Sequence, residues 1–168
     1  MRLSREEAVA AVTRELEGVR CLMCAVMERA PLVVGATQHA VALLPRYALV
    51  PGHVVVTLRR HVTRFSDIDT AAWLDASRLA LEAARIVEEE LLPARCYVAS
   101  LGTAQPGVPM SSPHLHQHVV PVADPASKPS TILTWERGVE RLDDDQALAL
   151  VARLRPGIMA RLGKEAVA

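Results

Sequence analysis

The sequence predicts an α+β fold built around an antiparallel sheet. Short β-prone runs follow one another at residues 33–44 and 54–57, one long helical pattern occupies residues 69–91, and further short runs come after it. Helices and strands do not alternate in the rhythm that parallel βαβ units require. The chain has 168 residues, enough to bury a core, and we expect a single domain.

The N-terminal residues carry a helix start signal. The Ser4 hydroxyl and the Glu7 carboxylate can each accept from a free backbone amide, which is the capping-box arrangement. Apolar residues follow at helical spacing as far as Leu16, and Gly18 can end the helix.

The strands are predicted from β-branched and apolar runs bounded by turn residues. Residues 33–44 are expected to form two short strands with a turn near residues 35–38. Residues 54–57 predict a third strand and residues 96–100 a fourth. Residues 132–135 predict a further short strand.

Two longer helices are predicted from their caps and apolar spacing. Asp69 can cap a helix that runs to about Leu91, and Pro93 ends it. A C-terminal helix is predicted for residues 143–162, which Pro156 can kink or split.

Three histidines alternate with other residues in the stretch HLHQHVVP, which contains His114, His116 and His118. Alternate residues of a strand share one face, so this run is expected to place three imidazoles on one surface. Imidazoles titrate near neutral pH and act as nucleophiles, acids or metal ligands. A row of three therefore indicates a functional site.

Composition argues against several classes of protein. A formal net charge of zero disfavours bulk coating of nucleic acid, and no apolar run reaches the roughly 18 residues of a membrane helix. The N-terminal segment carries Glu6 and Glu7 and lacks a sustained apolar run and a cleavage site, so we do not expect it to be a signal peptide. Three Cys, two of them as C-x-x-C, favour a reduced compartment and a metal or redox role. We therefore expect a cytoplasmic protein.

Three motifs, taken in order, resemble the histidine triad (HIT) superfamily. Cys21 and Cys24 stand where many bacterial members carry Cys-x-x-Cys, and residues 51–68 (PGHVVVTLRRHVTRFSDI) resemble the family's Pro-Gly-His segment. The histidine row resembles the family signature. The resemblance runs from Cys21 to Val122 and implies a two-fold dimer, with the long helix and a strand edge at the interface.

The resemblance also implies how the chain is organised. We expect one HIT-like domain over residues 1–168, with the antiparallel sheet and long helix of the family. Its parts are an N-terminal helix within residues 1–20, the family core at residues 21–122, and a C-terminal helical extension at residues 123–168.

The C-x-x-C spacing allows a tight turn to present both thiolates to one metal ion. Taken alone, it is also compatible with a redox pair or with two buried cysteines. The resemblance implies that Cys21 and Cys24 bind a structural zinc ion together with His61 and His114. Such a site would tie the N-terminal segment to the sheet.

The resemblance implies that His116 is the nucleophile that attacks the α-phosphorus of a nucleotide and that water or another acceptor resolves the covalent nucleotidyl-histidine. His118 would hydrogen-bond the phosphate or the leaving oxygen. The implied activity is that of a nucleotide hydrolase or nucleotidyl transferase, which cleaves a phosphoanhydride or phosphoramidate such as a dinucleoside polyphosphate. His53 matches a position near the nucleotide pocket, with a structural role as the alternative.

The loop before the histidine row departs from the family pattern. Pro109 and Met110 replace a common Gly-Gln pair whose amide touches the phosphate. Ser111 or Ser112 can donate to the phosphate instead, and Ser100 stands where many members have Asn. We take these three serines as substrate-binding candidates.

Two alternative functions remain. Pro45 stands where members carry the Asp or Asn that binds ribose, so the chain also fits a non-catalytic module that binds a nucleotide or a partner. A cupin-type metal enzyme needs an acid soon after its His-x-His. The first acid after His118 is Asp124, which lies beyond a Pro, so the sequence disfavours this second alternative.

Overall fold

The computed structural model describes residues 1–15, 17–19, 21–28, 31–102 and 112–167. Within these residues the chain forms strands β1 Arg2–Leu3, β2 Val33–Ala36, β3 Ala40–Leu43, β4 Tyr47–Ala48, β5 Val54–Leu58, β6 Arg95–Ala99, β7 His116–Val122 and β8 Val139–Arg141. The α-helices of the same residues are α1 Arg5–Glu15, α2 Leu22–Glu28, α3 Thr70–Leu91, α4 Pro129–Leu133 and α5 Asp144–Leu162. The α+β prediction is confirmed.

A five-stranded antiparallel sheet in the order β2-β3-β5-β7-β6 forms the centre of the molecule. The register places Thr57 of β5 opposite His116 and Val55 opposite His118. On the other side of β7, Ala99 lies opposite His118. The histidine strand is thus the second strand from one edge, and β6 is that edge.

Polar side chains cap the two long helices, and the cap at Asp69 is the one that the sequence predicted. The Asp69 carboxylate accepts from the Ala72 amide at the start of α3. Asp143 and Gln146 form a capping box at the start of α5. Each cap satisfies an amide that the first helical turn leaves free, which is why the sequence located both starts.

Helices α3 and α5 pack on the same face of the sheet and form the main core there. Val119 of β7 is buried in this core together with Leu79 of α3 and Ile158 of α5. Because side chains alternate along a strand, His116 and His118 lie on the opposite face from Val119. The core therefore leaves the histidines on the side of the sheet away from the long helices.

Helix α5 runs through Pro156 without being split. Leu154 and Ile158 are fully buried on either side of the proline. Gly157 allows close packing, since a Cβ there would lie 2.7 Å from the Ile86 side chain of α3. This packing offsets the hydrogen bond that proline removes. No helix of the described residues is long and apolar enough to cross a membrane.

Residues 132–135 do not form the predicted strand. Residues 129–133 form helix α4, with Pro129 in its first turn, and Ile132 is buried in a small apolar cluster. A short apolar run does not distinguish a strand from one helical turn, and proline is well suited to a helix start. The strand prediction was therefore wrong at this position.

A second, small sheet in the order β1-β8-β4 was not predicted. It joins the chain start to the segment before α5 through two- and three-residue strands. Strands this short carry no alternating pattern, so only long-range pairing specifies them.

Candidate active site and metal centre

Four predicted metal ligands converge from three separate segments. Cys21 immediately precedes α2 and Cys24 lies within it, while His61 follows β5 and His114 precedes β7. Their ligand atoms all lie within 4.8 Å of one another. The His114 Nδ1 atom is 3.6 Å from Cys21 Sγ and 3.5 Å from Cys24 Sγ, and His61 Nδ1 is 3.5 Å from Cys24 Sγ.

These separations fit a tetrahedral zinc ion. With Zn–S bonds of about 2.3 Å and Zn–N bonds of about 2.0–2.1 Å, tetrahedral geometry places sulfur and nitrogen about 3.6 Å apart. Two thiols and two imidazoles also form a donor set that zinc prefers. The four residues can therefore hold the ion that the sequence predicted.

Local structure explains how the cluster is assembled. Cys21 and Cys24 are three residues apart at the start of a helix, so their side chains share one side. The Leu115 amide donates to the Val62 carbonyl at 2.8 Å, which joins the segments that carry His114 and His61. Burial and the neighbouring Cys21 thiol raise the pKa of Cys24 to about 11. A divalent cation would reverse that shift because it favours the thiolate.

The row of three imidazoles differs from the prediction at its first member. His116 and His118 lie in β7 with ring centroids 4.6 Å apart, but His114 precedes the strand and is fully buried. The His114 ring stacks edge-on against His61 at 4.8 Å. The polypeptide bends before β7, so the first ring lies in the metal cluster and not beside the other two.

A fourth histidine extends the pair on the sheet. His53 Nε2 lies 3.0 Å from His118 Nδ1, and His118 Nε2 lies 3.0 Å from His116 Nε2. At the far end, His116 Nδ1 is 2.7 Å from the His114 carbonyl oxygen. The Leu49 amide is 3.2 Å from His53 Nδ1. The three rings therefore form one continuous chain of hydrogen bonds.

The two backbone ends determine the direction of every bond in this chain. The Leu49 amide can only donate, so neutral His53 carries its proton on Nε2 and donates to His118 Nδ1. His118 then donates from Nε2 to His116 Nε2. His116 carries its own proton on Nδ1 and donates to the His114 carbonyl, which can only accept. The lone pair of His116 is thereby placed on Nε2.

Burial keeps these rings neutral. It lowers the pKa of His118 to about 3, with the charge of His116 adding to the effect, and lowers the pKa of His53 well below its usual value. The pKa of His116 is also lowered by burial, an effect that its bond to the His114 carbonyl opposes. A neutral ring is the form that carries a lone pair for attack on an electrophile.

We expect the stability of the protein to fall as the pH is lowered below about 6.5. The unfolded chain binds protons at His53 and His118 in this range and the folded chain does not, so acid favours unfolding. Between pH 7 and pH 5 the free energy of unfolding should drop by about 2 kcal/mol for each of these two histidines. Urea titrations at a series of pH values measure it. For His53→Gln we expect the free energy of unfolding to fall less steeply as the pH is lowered. Identical pH dependence in this variant and the wild type would contradict a contribution from His53.

Two of the three predicted serines lie beside the same strand. The Ser100 hydroxyl donates to the His116 carbonyl at 3.1 Å, and the Ser112 hydroxyl accepts from the His114 amide at 3.3 Å. Ser111 lies outside the described residues.

Thr57 is a residue that sequence reasoning missed. Its hydroxyl donates at 3.3 Å to the Leu115 carbonyl, within the segment that links the metal cluster to His116. A signal for it was present, because His53 and Thr57 are four residues apart in and just before β5 and so point to the same face.

Comparison with known proteins gives a consistent result. The family model described as HIT domain matches residues 27–124. An uncharacterised 16.1 kDa HIT-like protein of Mycoplasma pneumoniae is 33% identical over 104 residues, which cover 60% of this chain and 70% of the relative.

Solved structures share the fold at low sequence identity. A zinc-bound histidine triad family protein from Mycobacterium smegmatis has a TM-score of 0.63 and 21% identity, covering 85% of this chain and 95% of its own. The diadenosine triphosphate hydrolase of Plasmodium falciparum has a TM-score of 0.61 and 16% identity, covering 80% of each chain. At these identities the likeness concerns the fold alone.

Proposed function

We propose that this chain, which belongs to the HIT domain family, is a nucleotide hydrolase or nucleotidyl transferase that forms a covalent nucleotidyl-histidine. Its substrate would be a phosphoanhydride or phosphoramidate, such as a dinucleoside polyphosphate. The hydrogen-bond chain from Leu49 to the His114 carbonyl carries this proposal, since it leaves the nucleophilic lone pair on His116 Nε2.

In the first step His116 Nε2 attacks the α-phosphorus of the substrate. A phosphorus–nitrogen bond forms as the bond from phosphorus to the leaving group breaks, and the leaving group takes the electron pair of that bond. The Nδ1 proton stays on the ring, held by the His114 carbonyl, so the modified imidazole carries a positive charge. The Nε2–H group of His118, which donated to His116 before the attack, now donates to the phosphate or the leaving oxygen.

In the second step water or another acceptor attacks the same phosphorus. The phosphorus–nitrogen bond breaks, its electron pair returns to Nε2, and His116 is again neutral. When the acceptor is water, its proton passes to solvent. A neutral imidazole suits both steps, because it attacks without first losing a proton and leaves readily.

The neighbouring residues are proposed to divide into two roles. Ser111 and Ser112 bind the phosphate ahead of the strand. Ser100 and His53 act mainly through the histidines, because the Ser100 hydroxyl is bonded to the His116 carbonyl and His53 is bonded to His118. Ser100 and His53, which the sequence predicted to bind the substrate, would then influence binding indirectly, through the histidines that they contact.

The metal centre is proposed to hold structural zinc on Cys21, Cys24, His61 and His114. Bound zinc would cross-link α2 to the segments that follow β5 and precede β7. His114 would have a second role, because its backbone carbonyl accepts the Nδ1 hydrogen bond of His116, the proposed nucleophile.

We also propose that residues 1–168 form one domain with a family core at residues 21–122. The extension at residues 123–168 supplies α5, whose Leu154, Ile158 and Leu162 are buried in the main core. The N-terminal helix α1 lies within residues 1–20 and is followed in sequence by the first metal ligand.

A substrate panel tests the proposed function. Purified protein is incubated with dinucleoside polyphosphates of different bases and phosphate numbers and with adenosine 5′-phosphoramidate, and nucleoside monophosphate is measured by chromatography. We expect release from one or more of these substrates and none with His116→Ala. Binding without release across the panel would contradict catalysis and favour the non-catalytic binding module.

We propose that the chain forms a two-fold homodimer through the β6 edge and the adjoining face of α3. Strand β6 has a free edge among the described strands, Val98 on it is 51% exposed, and Leu81 of α3 is 47% exposed. Free strand edges and exposed apolar side chains are commonly covered by a partner.

Light scattering at micromolar concentration should report a dimer for the wild type and a monomer for Val98→Asp, because the introduced charge would be buried at the interface. Leu148→Asp is the matched control, since Leu148 is 49% exposed on α5, and it should remain dimeric. A monomeric wild type would count against this assembly.

A further inference from the structure

The face of the sheet that carries His118 continues onto strand β6. Ala99 lies opposite His118, and Tyr97 lies opposite Val120. Residues opposite one another in an antiparallel pair share a face, with Cβ atoms about 5 Å apart. The methyl group of Ala99 fills little of the space beside His118, so a group bonded to the reacting phosphorus can extend over it toward Tyr97.

Tyr97 and Arg95 form an ordered surface further along this strand. The Arg95 guanidinium carbon lies 6.0 Å from the centroid of the half-buried Tyr97 ring, and Arg95 itself is exposed. The Tyr97 hydroxyl donates to the Ser127 carbonyl at 3.3 Å, which holds the ring in place. A planar cation over a fixed aromatic ring is a surface on which nucleobases stack, and the cation also attracts phosphate.

Trp135 belongs to the same apolar cluster as Tyr97. It packs with Tyr97 against an apolar cluster that contains Val120, and it is half-buried. Its φ angle is +63°, in the left-handed region that large side chains seldom adopt. The Gly138 amide donates to its carbonyl at 2.8 Å and maintains the turn.

We propose that Ala99, Tyr97, Arg95 and Trp135 form the subsite for the leaving group of the substrate, and that this subsite binds a second nucleobase. This inference rests on the proposed function and assigns the residues that would recognise the leaving group of its substrate. Tyr97 lies two residues along the strand from Ala99, or roughly 7 Å. The phosphates of the leaving nucleotide would bridge this gap, and its base would lie against Tyr97, Arg95 and Trp135.

Two substrates that share the transferred group but differ in leaving group test the proposal. Diadenosine tetraphosphate has a leaving group with a base, while adenosine 5′-phosphoramidate has ammonia. We expect Arg95→Gln and Trp135→Leu each to lower kcat/KM for the tetraphosphate by about tenfold, as expected for a lost base contact. Their kcat/KM for the phosphoramidate should stay within about twofold of the wild type. Arg155→Gln, an exposed change on α5, is the matched control and should alter neither.

The outcomes separate this proposal from the one on which it rests. A wild type that cleaves neither substrate defeats the proposed function and this subsite with it. A wild type that cleaves both, with variants that change both substrates equally or neither, overturns the subsite alone. If Trp135→Leu does not fold, Arg95→Gln still decides the result.

Fluorescence gives a second readout that does not depend on turnover. The chain has two Trp residues, Trp73 and Trp135, so Trp73→Phe leaves Trp135 as the single strong emitter. Titration of this variant with ADP, which resembles a leaving product, should quench its emission, and Arg95→Gln in the same background should weaken the quenching. Emission that is unchanged at millimolar ADP would overturn the proposal.

Discussion

The variant His116→Ala is expected to lose turnover altogether while it keeps its fold, its metal and its affinity for nucleotide. The His116 Nε2 lone pair ends the hydrogen-bond chain, and the donor opposite it is the ring of His118, which can turn away when a substrate binds. Alanine removes that nucleophile and leaves the metal ligands in place. Steady-state assays on a confirmed substrate, together with circular dichroism and metal analysis, measure the three properties separately.

The other histidines provide the contrast that makes this prediction specific. His118→Ala should slow the reaction by about 10²–10⁴-fold, the usual span for a lost acid–base partner. His53→Gln should have a smaller effect, because His53 reaches the nucleophile only through His118. His114→Ala should reduce stability first, since its ring lies in the metal cluster.

Rapid quench of the wild type with labelled substrate should trap an adduct that is labile to acid and stable to base, as a phosphorus–nitrogen bond requires. Neither His116→Ala nor heat-denatured protein should form it. Turnover by His116→Ala at a rate near that of the wild type would show that the proposed mechanism is wrong.

The double variant Cys21→Ser/Cys24→Ser is expected to lose zinc and to melt about 10 °C lower than the wild type. Helix α2 has no buried side chain within its bounds, so its attachment to the sheet depends on the metal cluster. Loss of three or more kcal/mol would produce a shift of this size in a chain of this length. Elemental analysis of protein purified without added metal should give about one zinc per wild-type chain.

The matched control is Cys96→Ser. Cys96 lies in β6 and outside the cluster, so this variant should keep its zinc. Metal loss should also lower activity in the double variant, because the His114 carbonyl that holds His116 belongs to a metal ligand. A double variant without metal that is as stable as the wild type would contradict the structural role.

Helix starts and the reactive strand could be predicted from sequence because their signals are local. At the start of α1 the Ser4 hydroxyl accepts from the Glu7 amide, and the Glu7 carboxylate accepts from the Ser4 amide. Asp69 caps α3, and the sequence predicted both caps. A cap needs only residues within one helical turn, and a histidine row needs only alternate positions. Local physics is therefore sufficient for these features.

Tertiary structure alone decided the features that depend on distant residues. His53 and His118 are 65 positions apart, and no local pattern predicts that their rings are hydrogen-bonded. Nor does any local pattern predict that backbone groups at both ends of the chain of rings determine the direction of its hydrogen bonds. His114 leaves the row where the Leu115 amide donates to the carbonyl of Val62, a residue far away in sequence.

The same reasoning explains α4 and the small second sheet. An apolar run of four residues fits both a strand and a helical turn, and two-residue strands have no periodicity to detect. By itself the sequence determined the caps at Ser4 and Asp69, the placement of His116 and His118 on one strand face, and the C-x-x-C pair. Tertiary packing decided the direction of the hydrogen bonds along the rings, the closure of the metal cluster and the placement of α4. Contacts between residues far apart in sequence lower the free energy only once the chain has folded around them.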